Sequence, residues 1–429
     1  MRIDKITLQN FRCFEQLEVE FLPNFNVIIG NNGTGKSSLL KALKIALDIF
    51  ITEINDKSIY PLSDKSNIRL KYFEKTTTLE FQLPIILEFQ IKIEETKNIA
   101  FRITREKSTD VPQKVDTEHN IEFLGTVNLN ANNEVDTLYE ILKSVRNGED
   151  IILPICAYFS PFRKYETTNK EVEIIGAKSR LVGYDNAIDE KFDFETFANW
   201  FKNQELIALQ ENQKWFRLEL IRKAVSICIP ECETIFYSVK INAIVAKFKD
   251  GKFTPIDLLS DGFKSMLAMV ADIAYRCVTL NPHLGESALE SAGVVLIDEL
   301  DVHLHPNWQK KVVKMLKTAF PNIQFIVTTH SPLILHSLDL GDRIINLEDN
   351  QVYYNNNMFG RDANDTLLQL MDTKVETPFL KEYFEFIETG KGKTAEALAL
   401  RQKIEDLVGR DYKELAKADA LMQFYNPNV

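Results

Sequence analysis

The sequence of 429 residues predicts an α/β fold built on a parallel sheet, and three short segments carry this prediction. The first is the apolar run Phe25–Ile29, which a glycine-rich loop joins to a segment with apolar residues at helical spacing. The second, Gly293–Ile297, is an apolar strand pattern that ends in two acids, and the third, Ile323–Thr328, is followed closely by a histidine. Because ligands bind at the carboxyl ends of strands in open α/β sheets, these endings predict one site.

The loop after the first strand matches the pattern G-x-x-x-x-G-K-[ST] at every fixed position. Its glycines allow the backbone to curl around a phosphate, and the N-terminus of the next helix adds a positive dipole. A glycine-rich turn without a ligand is the alternative, which the Lys-Ser pair and the helix disfavour. We predict a nucleoside triphosphate site in which Lys36 reaches the β- and γ-phosphates and Ser37 holds Mg²⁺. The predicted loop residues are Asn31, Asn32, Gly33, Thr34, Gly35, Lys36, Ser37 and Ser38.

The two later strands supply the predicted catalytic residues. Asp298 follows the second strand directly and is predicted to hold Mg²⁺, and Glu299 is predicted to polarise the attacking water. His330, at the end of the third strand, is predicted to contact the γ-phosphate or that water. Solvated acids and a structural histidine are the alternatives, and the phosphate loop in the same chain disfavours both.

Composition limits the class of protein further. With 45% apolar and 26% charged residues the chain can bury a core, and no uninterrupted apolar run approaches the ~18 residues that span a bilayer. The N-terminus also lacks the apolar block of a signal peptide, so we expect a cytoplasmic protein without a membrane partner. A net charge of −11 does not indicate a basic nucleic-acid face, and five scattered cysteines predict reduced thiols.

The rest of the chain predicts four parts: an ATPase core at 1–60 and 255–350, a β-rich lobe with a mobile loop at 61–155, a helical lobe with a strand pair at 156–254, and a helical tail at 355–429 for oligomer or partner docking. Residues 107–135 are polar and predict the loop, and Asp250-Gly251 predicts a hairpin turn after strands at 233–249. In a helical stretch at 192–227, an aromatic stripe predicts core packing rather than base stacking; its members are Phe194, Phe197, Trp200 and Phe201.

Ser260 and Gly262 open a long apolar helix and predict a second anion-binding helix N-terminus. The order of phosphate loop, Leu-Ser-Asp-Gly, acid-ending strand, Asp301 and strand-end histidine resembles that of the ATP-binding-cassette ATPases. The segment Ile6 to Phe14, with Asn-Phe-Arg, resembles the opening of their SMC/RecF/OLD branch. The resemblance implies a two-lobe P-loop NTPase with ATP and Mg²⁺ as ligands, an Arg12 that approaches the nucleotide, and a D-loop position at Asp301.

The same resemblance implies an assembly. In this family each ATP lies between the phosphate loop of one subunit and the Ser and Gly of its partner, so a homodimer around two ATP molecules is expected, and higher oligomers with it. No sustained heptads lie between Lys36 and Leu259, which excludes a long coiled-coil arm. The helical tail is short and lacks the strand and acid pattern of a Toprim nuclease.

These features together resemble the ATPase subunits of Septu-type anti-phage systems, the PtuA family. That resemblance implies a separately encoded HNH-type nuclease partner and no nuclease activity in this chain. A RecF-like DNA-repair ATPase stays open as the alternative, an ABC transporter cassette is disfavoured, and contact with nucleic acid, directly or through the partner, stays open. His303 and His305 are predicted to be packing and turn residues rather than metal ligands, and the segment Ala157 to Arg163 is the candidate for a further nucleotide-proximal loop.

Overall fold

The structure is a computed structural model that forms two units, Met1–Thr366 and Leu367–Val429. It describes residues 1–55, 62, 64–73, 75–94, 97–106, 127–129, 134–161, 179–189, 194–212, 215–355, 378–408, 415, 418 and 421–422.

Strands and helices follow one another through the first unit. The strands are β1 (Arg2–Phe11), β2 (Phe14–Glu20), β3 (Phe25–Ile29), β4 (Arg69–Phe73), β5 (Thr78–Gln82), β6 (Ile85–Glu94), β7 (Lys97–Arg105), β8 (Val127–Leu129), β9 (Ile155–Phe159), β10 (Cys232–Ser238), β11 (Ala243–Phe248), β12 (Phe253–Pro255), β13 (Gly293–Ile297), β14 (Ile323–Thr328), β15 (Arg343–Glu348) and β16 (Gln351–Asn355). The α-helices are α1 (Lys36–Asn55), α2 (Glu134–Arg146), α3 (Phe194–Glu211), α4 (Phe216–Cys228), α5 (Asp261–Leu280), α6 (Pro306–Gln309), α7 (Val312–Ala319) and α8 (Pro332–His336). Shorter 3₁₀ turns occur at Lys65–Asn67, Arg180–Tyr184, Ile256–Leu258 and Pro282–Glu290.

The central sheet has the strand order β16-β15-β3-β14-β13-β9, and all its strands except β16 run parallel. Every residue of β3, β9, β13 and β14 is buried, as expected for apolar strands covered on both faces. Within the register Ile297 pairs with Val327 and with Phe159, while Thr328 pairs with Ile28. The predicted α/β fold is confirmed, and the three strands that carried the prediction lie side by side.

Antiparallel strands form the other sheets. One has the order β2-β1-β6-β7-β8, and β4 and β5 form a separate hairpin. Four strands, β4 to β7, thus lie within the segment predicted to be a β-rich lobe. Residues 127–129, predicted as loop, instead form β8 on the edge of β7, and α2 begins at Glu134; the remaining residues of that predicted loop, 107–126 and 130–133, lie outside the described part. The predicted strand pair at 233–249 is part of a three-stranded sheet, because β12 follows the confirmed turn at Asp250-Gly251 and pairs with β11.

Aromatic packing holds the helices to one another. Phe194, Phe197 and Phe201 are buried, and Trp200 meets the ring of Tyr275 edge-on with centroids 5.0 Å apart, so the predicted core role of the stripe is confirmed. The helical stretch predicted there is two helices, α3 and α4. Among the described residues, no helix has the length and apolarity to cross a membrane.

The second unit contains α9 (Pro378–Glu388) and α10 (Ala395–Val408), which agrees with the helical character predicted for the tail. After α10 the structure describes four further helical positions, which are Leu415, Ala418, Leu421 and Met422. Tyr383 and Ile387 are fully buried in a cluster with Ala397, Ile404, Leu415 and Ala418. This unit therefore has an apolar core of its own.

We predict that Gly293→Ala destabilises the central sheet. A Cβ at this position would overlap the carbonyl oxygen of Ile155 and lie 2.5 Å from its backbone nitrogen, so β13 and β9 would have to separate. The free energy of unfolding in urea should fall by about 3 kcal/mol. Gly341→Ala is the matched control, since the nearest atom to a Cβ there is 3.8 Å away, and it should change that free energy by less than about 0.5 kcal/mol. Equal stability of the two variants would contradict the prediction.

Candidate active site

The loop between β3 and α1 is shaped by glycines that no other residue replaces without strain. Gly35 has a φ of +99°, and a Cβ there would overlap the ring of Phe14 and lie 2.6 Å from Sγ of Cys13. Thr34 closes the turn, since its backbone N–H and its hydroxyl both donate to the carbonyl of Asn31, at 3.3 and 3.0 Å. The backbone thus curls tightly in front of the N-terminus of α1, as an anion-binding loop requires.

Lys36 is the first residue of α1, and its side chain lies inside the loop. Its Nζ donates to the carbonyl oxygens of Gly30 at 2.8 Å and Asn31 at 2.9 Å. Burial lowers the pKa of Lys36, while the nearby carboxylates of Asp298 and Glu299 act in the opposite direction. The ammonium group is therefore held in place before any ligand contacts it.

The acids after β13 are fixed by hydrogen bonds from both neighbouring strands. The N–H of Asp298 donates to the carbonyl of Phe159 at 2.8 Å, which continues the pairing with β9. On the other side, the hydroxyl of Thr328 donates to Oδ1 of Asp298 at 2.5 Å and accepts from the N–H of Glu299 at 2.7 Å. Asp298 is buried, and Glu299 has a left-handed backbone with a φ of +52°.

Asp301 binds the segment that carries the histidine. Its Oδ1 accepts from the hydroxyl of Thr329 at 2.5 Å and from the N–H of His330 at 3.2 Å. His330 is exposed, whereas Thr329 is fully buried. Gln309 supports the same region, because its amide donates to the carbonyls of Leu304 and Asp301.

These elements enclose a cleft of 260 Å³ at the carboxyl edge of the sheet. Its lining residues are Cys13, Asn32, Gly33, Gly35, Lys36, Ser37, Ser38, Asp298, Glu299, Thr328 and His330. The structure thus brings all the predicted catalytic and metal-binding residues, and most of the predicted loop residues, to one place. Asn31 and Thr34 are not among the lining residues, and their hydrogen bonds close the turn of the loop.

Two lining residues were not predicted. Thr328 is the last residue of the apolar strand β14. A hydroxyl residue at the end of such a strand was the sequence signal that could have marked it as part of the site. Cys13 follows Arg12 in the turn between β1 and β2, and no sequence signal marked it. Burial raises the pKa of its thiol, which therefore stays protonated at neutral pH.

Arg12 lies against another part of the chain. Its guanidinium donates to the side chain of Asn67 at 3.3 Å, and its N–H donates to the Asn67 carbonyl at 2.9 Å. Within the described residues it is not part of the cleft lining, and its approach to a nucleotide stays a prediction. In the other loop candidate, the carbonyl of Phe159 at the end of β9 accepts from the N–H of Asp298, and Arg163 lies outside the described residues.

The predicted signature begins α5. Ser260 is the N-cap, and its side chain makes no capping hydrogen bond to the helix as described. Gly262 packs so closely on the carbonyl of His303 that a Cβ would overlap it. His303 has a left-handed φ of +65°, and Nδ1 of His305 caps α6 by accepting from the N–H of Asn307 at 3.3 Å. Turn and capping geometry thus account for both histidines.

Comparison with known protein families shows to which family the chain belongs. Residues 25–336 match the family described as "AAA domain, putative AbiEii toxin, Type IV TA system", which is well over half of the chain. The chain belongs to this family. It is an ATPase of the SMC/RecF/OLD type, related to PtuA.

Proteins similar in sequence to this chain include two probable ATPases of retrons. The chain is 29% identical to a retron Vc95 probable ATPase of Vibrio cholerae, over 97% of this chain and 85% of that protein. It is 25% identical to a retron Ec83 probable ATPase of Escherichia coli, over 79% and 70% of the two chains. A Septu protein PtuA of Bacillus thuringiensis is 31% identical over 35% of this chain and 39% of the relative.

Among solved structures, the SMC head domain from Thermotoga maritima is matched with a TM-score of 0.44 at 14% identity. The match covers 83% of this chain and 98% of that one.

We predict that Lys36→Met weakens ATP binding by about 10- to 100-fold, because it removes a charged donor to the phosphates. The affinity is measured by titration with a fluorescent ATP analogue, beside a thermal unfolding curve. Lys314→Met removes the same charge from an exposed position on α7 and should bind ATP as the unchanged protein does. Tight binding by a folded Lys36→Met protein would exclude a phosphate contact for this lysine.

Proposed function

We propose that two copies of this chain close head to tail around two ATP molecules, and that the ATP cycle regulates a separately encoded effector nuclease in prokaryotic anti-phage defence. The observation that carries the proposal is the composition of the cleft. It holds the phosphate loop, both acids and the histidine, while Ser260 and Gly262 are not among its lining residues in the described chain. A second copy would supply them.

The cleft residues have the chemistry of ATP hydrolysis. Lys36 and the loop N–H groups stabilise the charge that develops on the phosphates, and Glu299 orients the attacking water as a general base. His330 lies at the same opening and contacts the γ-phosphate or the water. Each of these groups lines the one cleft, so a single bound ATP reaches all of them.

The cleft also fits a Mg²⁺ ion. The hydroxyl of Ser37 and the carboxylate of Asp298 line it together, and hard oxygen ligands of this kind are those that Mg²⁺ prefers. When bound, the ion would neutralise negative charge on the β- and γ-phosphate oxygens.

The start of α5 is suited to complete the site of a partner. It is the N-terminus of a helix of 20 residues, whose dipole favours a phosphate, and the Ser260 hydroxyl is not used for capping within the described structure. Gly262 holds this helix end against His303, close in sequence to Asp301. In a symmetric dimer each subunit would use both surfaces, one at each of the two sites.

Mixing two inactive variants tests the dimer. Lys36→Met damages the phosphate loop, and Ser260→Arg damages the signature with a large charged side chain; each alone should lack ATPase activity. In a 1:1 mixture, half of the dimers would carry one intact site, so activity should return to about a quarter of that of the unchanged protein. Lys36→Met mixed with inactive Glu299→Gln should give no recovery, since both variants damage the same surface. An inactive mixture of folded Lys36→Met and Ser260→Arg proteins would reject the shared site.

The relatives support defence over DNA repair. The retron ATPases match 97% and 79% of this chain, whereas the DNA replication and repair protein RecF of Listeria welshimeri is 47% identical over only 13% of it. The endonuclease GajA of Bacillus cereus is 25% identical over 79% of this chain and 57% of that protein. Short matches at high identity are expected for the shared ATP-binding motifs, while the long matches favour the retron setting.

Phage plating tests the effector. The natural locus, expressed in a sensitive host, should lower phage plating, and deletion of its nuclease gene or Lys36→Met should abolish this protection. Lys314→Met should keep it, and the tagged chain should co-purify with the nuclease subunit. Sensitivity to DNA damage in a deletion strain, with unchanged phage plating, would favour the RecF-like function instead.

A further inference from the structure

The end of β14 presents two consecutive threonines to the acids that follow β13. Thr328 binds Asp298 and Glu299, and Thr329 binds Asp301. Thr329 directly follows the strand, where its N–H still donates to the carbonyl of Ile28 at 3.3 Å, and the two hydroxyls bond to different acids. Thr328 is 1% exposed and also lines the nucleotide cleft.

We propose that Thr328 is a positioning residue for ATP hydrolysis, which sets the Asp298 carboxylate and the Glu299 backbone through one hydroxyl group. The proposal rests on the metal-binding and general-base functions proposed above for these two acids. Thr328 itself is assigned no proton transfer and no ligand contact.

The directions of the hydrogen bonds follow from the groups involved. The N–H of Glu299 is a donor only, so the Thr328 oxygen accepts from it at 2.7 Å. The one hydroxyl proton then points to Oδ1 of Asp298 at 2.5 Å, which accepts as an ionised carboxylate does. The hydroxyl therefore holds the Asp298 carboxylate with one oxygen directed toward Thr328.

The Glu299 backbone is the part that needs support. Its φ of +52° is uncommon for a residue with a side chain and persists where the surroundings hold it. Thr328 supplies two bonds here, because its hydroxyl accepts from Glu299 and its carbonyl accepts from the N–H of Leu300 at 2.9 Å. The left-handed turn determines where the Glu299 carboxylate leaves the backbone, so the threonine acts on the base through the turn.

Threonine is suited to this position by its shape. Its branched Cβ limits χ1 in a strand, so the hydroxyl keeps one direction without further contacts. Valine has the same shape without the hydroxyl, and serine keeps the hydroxyl without the methyl group. These two substitutions separate hydrogen bonding from packing.

We expect Thr328→Val to lower kcat for ATP by about 10- to 100-fold, the usual effect of removing a partner of a ligating carboxylate. Nucleotide binding gives a readout independent of turnover: the Mg²⁺ concentration that half-saturates binding of the fluorescent analogue should rise about 10-fold, with affinity in EDTA unchanged. Thr328→Ser should restore both values to within about threefold. Ser291→Ala is the control, since it removes an equally buried hydroxyl before β13, and should lower the unfolding temperature without changing kcat.

A double-variant cycle separates positioning from a general loss of structure. At a Mg²⁺ concentration that saturates both variants, the effect through Asp298 is offset, so Thr328→Val should add little to the loss of kcat already caused by Glu299→Gln. Multiplicative losses, a Thr328→Val protein with the kcat of the unchanged protein, or a folded Thr328→Ser protein as slow as Thr328→Val would each overturn the proposal. Glu299→Gln with full activity would instead reject the proposed base, whatever the outcome at Thr328.

Discussion

The parallel register of β3, β14 and β13 is the constraint on which the rest of the site depends. Pairing of Ile297 with Val327 and of Thr328 with Ile28 brings the three strand ends to one level. A slip of one residue would turn every side chain of a strand to the opposite face. Asp298 would then lose Thr328, and the acids would no longer face the phosphate loop. Burial of all three strands on both faces makes such a slip costly, so the core of the protein also maintains the geometry of its chemistry.

Preorganisation extends to the charged groups. Lys36 is bound by two loop carbonyls, and Asp298 is bound by Thr328, before a nucleotide enters. Burial of the lysine disfavours its charge, and the acids across the cleft offset part of that cost. Fixed donors and acceptors of this kind need no reorganisation during a reaction, which is why a site for phosphoryl transfer benefits from them.

The cleft and the proposed dimer surface are joined by contacts within one subunit. Asp301 binds the backbone of His330, and two residues further on His303 packs under Gly262 at the start of α5. A single residue, Val302, separates Asp301 from His303, and His303 has a left-handed φ. The groups expected to face the γ-phosphate and those expected to face a second subunit are therefore held by the same short segment.

Sequence alone determined the local parts of this protein. A glycine-rich loop between a strand and a helix, and two acids after an apolar strand, are patterns within a few residues, so the loop, Asp298, Glu299 and His330 were predicted together with the α/β fold. Tertiary structure decided what depends on distant pairing: that β14 lies between β3 and β13, that β8 and β12 join their sheets, and that Thr328 bridges the two acids. Periodicity shows which face of a strand is buried, but the neighbour of that strand depends on the packing of the whole chain. The direction of one hydroxyl is decided only after that neighbour is in place.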